Sequence, residues 1–143
     1  MKISTRGRYA LRMLLDISLH RSEGYISLKD ISARQDISKK YLEQIIPVLN
    51  GAGFLKTSRG YQGGYSLAKE PVEIRVGDIL RATEGSLNPV ACMEDTPNQC
   101  PRYGECLTLP VWEGLEKVIT EYLDGITLQD ILDRSPVGPE YCI

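Results

Sequence analysis

Residues 27–67 read SLKDISARQDISKKYLEQIIPVLNGAGFLKTSRGYQGGYSL, two helical spacings followed by a glycine-rich hairpin pattern. Ser27 is placed to N-cap a helix, with Asp30 as its capping-box partner and Ile26 and Ile31 in the staple positions. Leu28, Ile31 and Ala33 are expected to form the buried side of that helix. After the QDIS turn, Ser38 caps a second helix stapled by Ile37 and Leu42. Its stripe of Leu42, Ile45, Ile46 and Leu49 suits a helix and not a strand. The polar residues gather at its start and on its other face: Ser38, Lys39, Lys40, Tyr41, Glu43 and Gln44. A short helix, a tight turn and a second helix with a polar start is the helix-turn-helix layout, in which the second helix enters a major groove N-terminus first.

The residues that follow narrow the reading. Gly51 and Gly53 stop the second helix, Phe54–Thr57 forms a short strand and Tyr65–Leu67 is its return. Between them Gly60, Gly63 and Gly64 permit the turn of a hairpin whose tip carries Arg59 and Tyr61. The fold class expected is mainly α with a small β-hairpin wing: a winged helix-turn-helix plus a long dimerisation helix. The competing reading of the same stretch is a solvated charged surface on a small helical domain.

Charge divides the chain. The net charge of −2 hides a first half, residues 1–70, with twelve Lys and Arg against six Asp and Glu. Residues 71–143 carry five against thirteen, so only the first half suits contact with phosphates. Lys2, Arg6, Arg8 and Arg12 put four positive charges and no acid at the start, where arginine can fork onto phosphate oxygens. The helix they lead into, from about Tyr9 to Leu19, should bury Ala10, Met13, Leu14 and Ile17 beneath the helix-turn-helix. The opening MKISTRGRYALR has no apolar leader and no run of 18 apolar residues exists, so a cytoplasmic protein without membrane association is expected.

Enzymatic chemistry finds little support. His20 is the only histidine, there is no G-x-G-x-x-G cradle, and no nucleophile stands beside a base. Residues 1–84 are expected to form the DNA-binding domain, 85–109 a cysteine-containing sensor loop, and 110–143 a dimerisation helix and tail. A helix from Val76 with Ile79 and Leu80 inward closes the first segment. In the loop, Cys92, Cys100 and Cys106 are spaced C-x7-C-x5-C. That spacing excludes a zinc knuckle and the short ferredoxin run. It leaves open an iron–sulfur site with a fourth ligand from elsewhere, a redox thiol switch, or cysteines without a sensing role.

The helix from Pro110 to about Leu123 carries Val111, Leu115, Val118 and Tyr122 at steps of four, three and four, with Trp112 and Ile119 beside them. An apolar face of that width points to a second copy of the chain, and a twofold dimer reads two half-sites about 34–36 Å apart; the alternative is a monomer with the helix folded back as ordinary core. Glu113, Glu116, Glu121 and Asp124 should keep its outer side acidic. Beyond it, Thr127 and Asp130 repeat the capping-box logic, with Ile126 stapled to Ile131, and the helix they start ends near Arg134.

The segments MKISTRGRYALR, SKKYLEQIIPVL, RGYQGGYSL, the three-cysteine loop and ITLQDIL together resemble one family across nearly the whole chain. It is the family of small bacterial winged-helix regulators that includes the iron–sulfur cluster regulator, the nitric-oxide-sensing repressor and the cysteine-metabolism repressor. The resemblance implies a dimeric, sequence-specific transcriptional regulator of double-stranded DNA, a repressor among its known roles. It implies DNA reading by Glu43 and Gln44, and wing insertion by Arg59 with Gly60 and Gly63. It also implies a [2Fe–2S], ahead of a [4Fe–4S], cluster on Cys92, Cys100 and Cys106. The positions of the fourth ligand in two of these relatives are Leu109 and Arg8 here, so that ligand falls to Glu94, Asp95, Glu105 or an external thiol. The N-terminal half and the closing EYCI are similar to the cysteine-metabolism repressor, which needs no cluster and takes cysteine synthase as a protein partner. That makes a cluster-free thiol sensor the alternative function, and an iron–sulfur carrier the alternative from another class.

Overall fold

The computed structural model describes residues 2–134. Among them six α-helices and one hairpin follow in the order α1 (Thr5–Leu19), α2 (Leu28–Gln35), α3 (Lys39–Gly51), β1 (Leu55–Ser58), β2 (Gly64–Leu67), α4 (Val76–Glu84), α5 (Leu109–Asp124) and α6 (Leu128–Arg134). The expected winged helix-turn-helix is therefore present, built on α1 to α4 and the hairpin. Helix α1 begins before the expected Tyr9. Ser4 caps it, accepting a hydrogen bond from the Gly7 amide at 3.2 Å, and Gly7 is buried against α4.

One apolar core unites these elements. Ala10, Met13, Leu14 and Ile17 of α1, Ile31 of α2, Leu42, Ile45 and Leu49 of α3, Ile79 of α4 and Leu128 of α6 are all fully buried. Each large aliphatic among them contributes roughly 1.5–3 kcal/mol over leaving it exposed. Ala33, expected on the buried side of α2, is exposed. With only eight residues, α2 needs no more than Leu28 and Ile31 to seat it. Pro47 lies inside α3 and is exposed, so the backbone bond that proline cannot make falls on the water side.

In the wing, β1 and β2 pair antiparallel from Leu55 opposite Leu67 to Ser58 opposite Gly64. Ile26, just before α2, adds a bridge to Tyr65 through two 2.8 Å backbone hydrogen bonds. A side chain at Gly64 would collide with the Ile26 carbonyl, so glycine lets the wing lie against the helix-turn-helix.

Helix α5 packs on α4 through a second cluster, where Val76, Leu80 and Leu87 meet Ile119, Leu123 and Ile126. Arg81 holds the pair together, donating to Asp124 at 2.5 Å and to Asp78 at 3.0 Å. Asp124, expected on the acidic outer side, therefore faces α4. The chain then rejoins the first core: the Val76 amide donates to Ile126 and the Leu128 amide to Ile74, both at 2.9 Å. Leu128 of α6 lies in the same core as α1, α2 and α3. Residues 85–109 hold more order than a structureless loop. A short 3-10 turn spans Ala91–Met93, Leu87 is buried, and Asn88 donates to the Met93 carbonyl at 3.1 Å. Residues 135–143, including Cys142, lie outside the described residues.

Candidate DNA interface and cysteine loop

Helix α3 begins at Ser38, whose hydroxyl accepts from the Tyr41 amide at 3.1 Å. With Leu42, Ile45, Ile46 and Leu49 all buried, the helix can turn only one face outward. That face presents Ser38, Lys39, Lys40, Glu43 and Gln44, all exposed, with Tyr41 half-buried. Asp36, in the left-handed conformation at φ 53°, makes the sharp turn between α2 and α3.

The angle of α2 against α1 is set by a polar group that sequence reasoning missed. Asp16 is 1% exposed within α1. It accepts from Arg34 Nε at 3.0 Å, Arg34 Nη2 at 2.7 Å and Gln35 Nε2 at 3.0 Å. The hydrogen bond to the Asp16 carboxylate outweighs burial and raises the Arg34 pKa. Its only sequence signal was an acid among the apolar residues of α1. Arg12, grouped above with the phosphate-contacting arginines, is engaged elsewhere. It donates to the side chain of Gln35 at 3.2 Å and to the Gln35 backbone carbonyl, and lies 5.3 Å from the Tyr9 ring. Tyr9 in turn meets Tyr41 edge to face at 5.4 Å, which links α1 to the start of α3. Lys2, Arg6 and Arg8 are exposed, and Arg6 shares a cleft with Tyr41. His20 caps the end of α1, with Nδ1 2.9 Å from the Asp16 carbonyl.

At the wing tip Arg59, Gly60 and Tyr61 are exposed and Gly63 half-buried; the Tyr61 side chain is fully in solvent. Gly60 has φ 107°, a conformation open to glycine and costly for other residues. The exposed α3 face, the arginine-bearing tip and the basic start of α1 thus stand on elements that share one apolar core.

The three loop cysteines are free thiols, Cys92 exposed and Cys100 and Cys106 half-buried. Cys106 lies just before α5, with Sγ 3.3 Å from the Thr108 hydroxyl. That hydroxyl first, then the Thr108 and Leu109 amides and the Arg102 charge, lower its pKa from the ordinary thiol value. On α5, Val111, Leu115, Val118 and Tyr122 are 60%, 41%, 62% and 65% exposed, a continuous uncovered stripe. Trp112 and Ile119 are half-buried, and Ile119 is used against α4.

Comparison with known proteins accords with this arrangement. Residues 3–134 match the model of the Rrf2 family, described as iron-dependent transcriptional regulators. The chain belongs to the Rrf2 family. It is 44% identical to protein rrf2 of Nitratidesulfovibrio vulgaris over 98% of this chain and 93% of that one. It is 40% identical to the HTH-type transcriptional regulator IscR of Aliivibrio salmonicida, over 92% of this chain and 77% of that one. The structure of CymR, the global cysteine regulator of Bacillus subtilis, superposes with a TM-score of 0.77 at 38% identity, over 95% of this chain and 99% of that one. As an Rrf2 member this chain is a DNA-binding transcriptional regulator and not an enzyme, and no helix among the described residues is long and apolar enough to cross a membrane.

The iron–sulfur group expected for Rrf2 proteins meets a divided answer. Three thiols, one of them with a lowered pKa, are suitable soft donors. Their arrangement does not suit it: among the described residues no three His, Cys, Asp or Glu side chains are gathered to hold a metal ion. Leu109, at one fourth-ligand position, is buried in the core.

Proposed function

We propose that two copies of this Rrf2 regulator read paired half-sites in double-stranded DNA. The observation that carries this reading is the exposed start of α3 lying in one unit with the arginine-bearing wing tip. In it Glu43 accepts from a cytosine amino group, Gln44 pairs with adenine, and Lys39, Lys40, Ser38 and Tyr41 fix the helix on the backbone. Arg59, with Gly60, Tyr61 and Gly63 shaping the tip, enters an adjacent narrow minor groove, while Lys2, Arg6 and Arg8 meet phosphates. Dimerisation falls to Val111, Leu115, Val118 and Tyr122, with Trp112 and Ile119 at the margin. Selection of duplexes from a random pool tests this. A palindromic consensus bound by two chains is expected, and binding without sequence preference would refute it.

Sensing is assigned to residues 85–109 of a cytoplasmic repressor. In the iron-dependent form of this reading, Cys92, Cys100 and Cys106 hold an iron–sulfur cluster, [2Fe–2S] ahead of [4Fe–4S]. The cluster would supply a redox- and iron-sensitive tie among three points of the loop. The loop must then draw its thiols together, which trades chain entropy for order. Cys106, just before α5, is the thiol nearest in sequence to that helix. In the second form the loop acts without a cluster as a cysteine-responsive thiol sensor with a protein partner such as cysteine synthase. Anaerobic reconstitution with iron and sulfide separates the two. Visible absorbance lost in each of Cys92→Ala, Cys100→Ala and Cys106→Ala but kept in Cys142→Ala supports the cluster. A colourless wild type with intact DNA binding leaves the thiol form.

A further inference from the structure

An open cleft of about 480 Å³ lies between the start of α1, the first turn of α3 and the end of α4, lined by Ser4, Thr5, Arg6, Tyr41, Thr83 and Glu84. The Ser4 and Thr83 hydroxyls donate within the protein, whereas Arg6 and Tyr41, two of the residues proposed above to meet DNA, also line the cleft. Glu84 is its one carboxylate. Glu84 Oε1 accepts from the Ser4 amide at 3.0 Å and from the Ser4 hydroxyl at 2.6 Å. Gly7 makes room for it, since a side chain there would collide with that oxygen. The charge is thus held in the cleft, half-buried, and among the described residues no ion pair joins it to Arg6.

We infer that Glu84 sets the regulator's affinity for the DNA backbone: its fixed carboxylate opposes the phosphate that Arg6 and Tyr41 would otherwise hold. The inference rests on the reading of α1 as a phosphate contact. A like charge a few ångströms from a phosphate is repelled through a medium intermediate between protein and water, and salt screens that repulsion. The effect is blind to sequence, so it restrains non-specific binding, the term that backbone charge governs. Glu84 is also the last residue of α4, and Gly85, at φ 83°, opens the cysteine loop.

The test is titration of the full chain with a non-specific duplex over a range of KCl concentrations, comparing wild type, Glu84→Gln and Arg6→Ala. Glutamine keeps an oxygen for Ser4 and removes the charge. Glu84→Gln should bind roughly three- to tenfold tighter at low salt, with a salt slope steeper by up to about one unit; Arg6→Ala should bind more weakly. Should Glu84→Gln melt early, Glu84→Ser serves, with thermal denaturation as the check on folding. A purely structural role for Glu84 predicts weaker binding and a lower melting temperature, and that result overturns the inference, as does unchanged affinity in a folded variant. If Arg6→Ala binds like wild type, the phosphate-contact reading of α1 fails and the inference with it; if only the Glu84 variants miss expectation, that reading stands alone.

Discussion

A carboxylate as buried as Asp16 is tolerated only because three donors satisfy it. Two come from Arg34 and one from Gln35, so a single side chain of α1 orients the C-terminal end of α2. Arg34→Ala removes the charged partner and leaves the acid buried, a change that costs about 3 kcal/mol or more. Urea denaturation should record that loss, and a loss below about 1 kcal/mol would mean that water reaches Asp16. Exposed residues obey different rules. Arg59 is expected to act in a narrow groove and Lys39 on phosphate. Arg59→Ala should therefore flatten the A/T preference at the wing position. Lys39→Ala should weaken all duplexes alike and lower the salt slope by roughly one unit. Equal effects of the two variants on preference and slope would remove this geometry.

Among the elements, those fixed by local chemistry were legible in the sequence. Ser27, Ser38 and Thr127 each precede their helices and each accepts from the amide three residues on, as the spacing predicts. At α6 the box closes both ways, the Thr127 amide donating to Asp130 at 2.9 Å. That amide first, then the Thr127 hydroxyl, lower the Asp130 pKa below the usual carboxylate value. A depressed folded pKa means that the cap's contribution is complete above the unfolded value, near pH 4, and is lost as pH falls through the folded one. Wild type and Asp130→Asn should differ most in melting temperature above about pH 4 and converge in stronger acid; a constant gap would show the charge to be irrelevant. Elements whose limits depend on distant residues were not legible. The start of α1 is capped by Ser4, whose amide and hydroxyl donate to Glu84 on another helix, and Ala33 read as core on a helix too short to need it. Within the site, α3 and the wing followed from spacing, whereas the Asp16–Arg34 pair joins residues far apart in the chain. The breadth of the α5 stripe was plain from its sequence, but not that Ile119 and Leu123 would be used on α4.

At the scale of the molecule, α5 has two apolar sides and one is spent. Ile119 and Leu123 seal the cluster over α4, and Arg81, its pKa raised chiefly by the hydrogen bond to Asp124, fixes the helix to the DNA-binding unit. A second copy seated on the other side, as proposed, would set the spacing of two α3 helices through the α4–α5 contact. Leu115, the least exposed of the four uncovered residues, lies at the middle of that stripe, where two copies would meet most closely. Leu115→Asp places a carboxylate there, at a cost of several kcal/mol on association. Each 1.4 kcal/mol is tenfold in the dissociation constant, so the dimer should be weakened by two orders of magnitude or more. The α1–α4 core does not contain Leu115, so the helix-turn-helix should stay folded, with circular dichroism near that of wild type. Binding to a palindromic duplex should fall sharply while the weak affinity for a single half-site survives. Sedimentation velocity at micromolar concentration decides the matter: a monomer with half-site binding places Leu115 in the interface, and an unaltered dimer puts the twofold contact elsewhere on the surface.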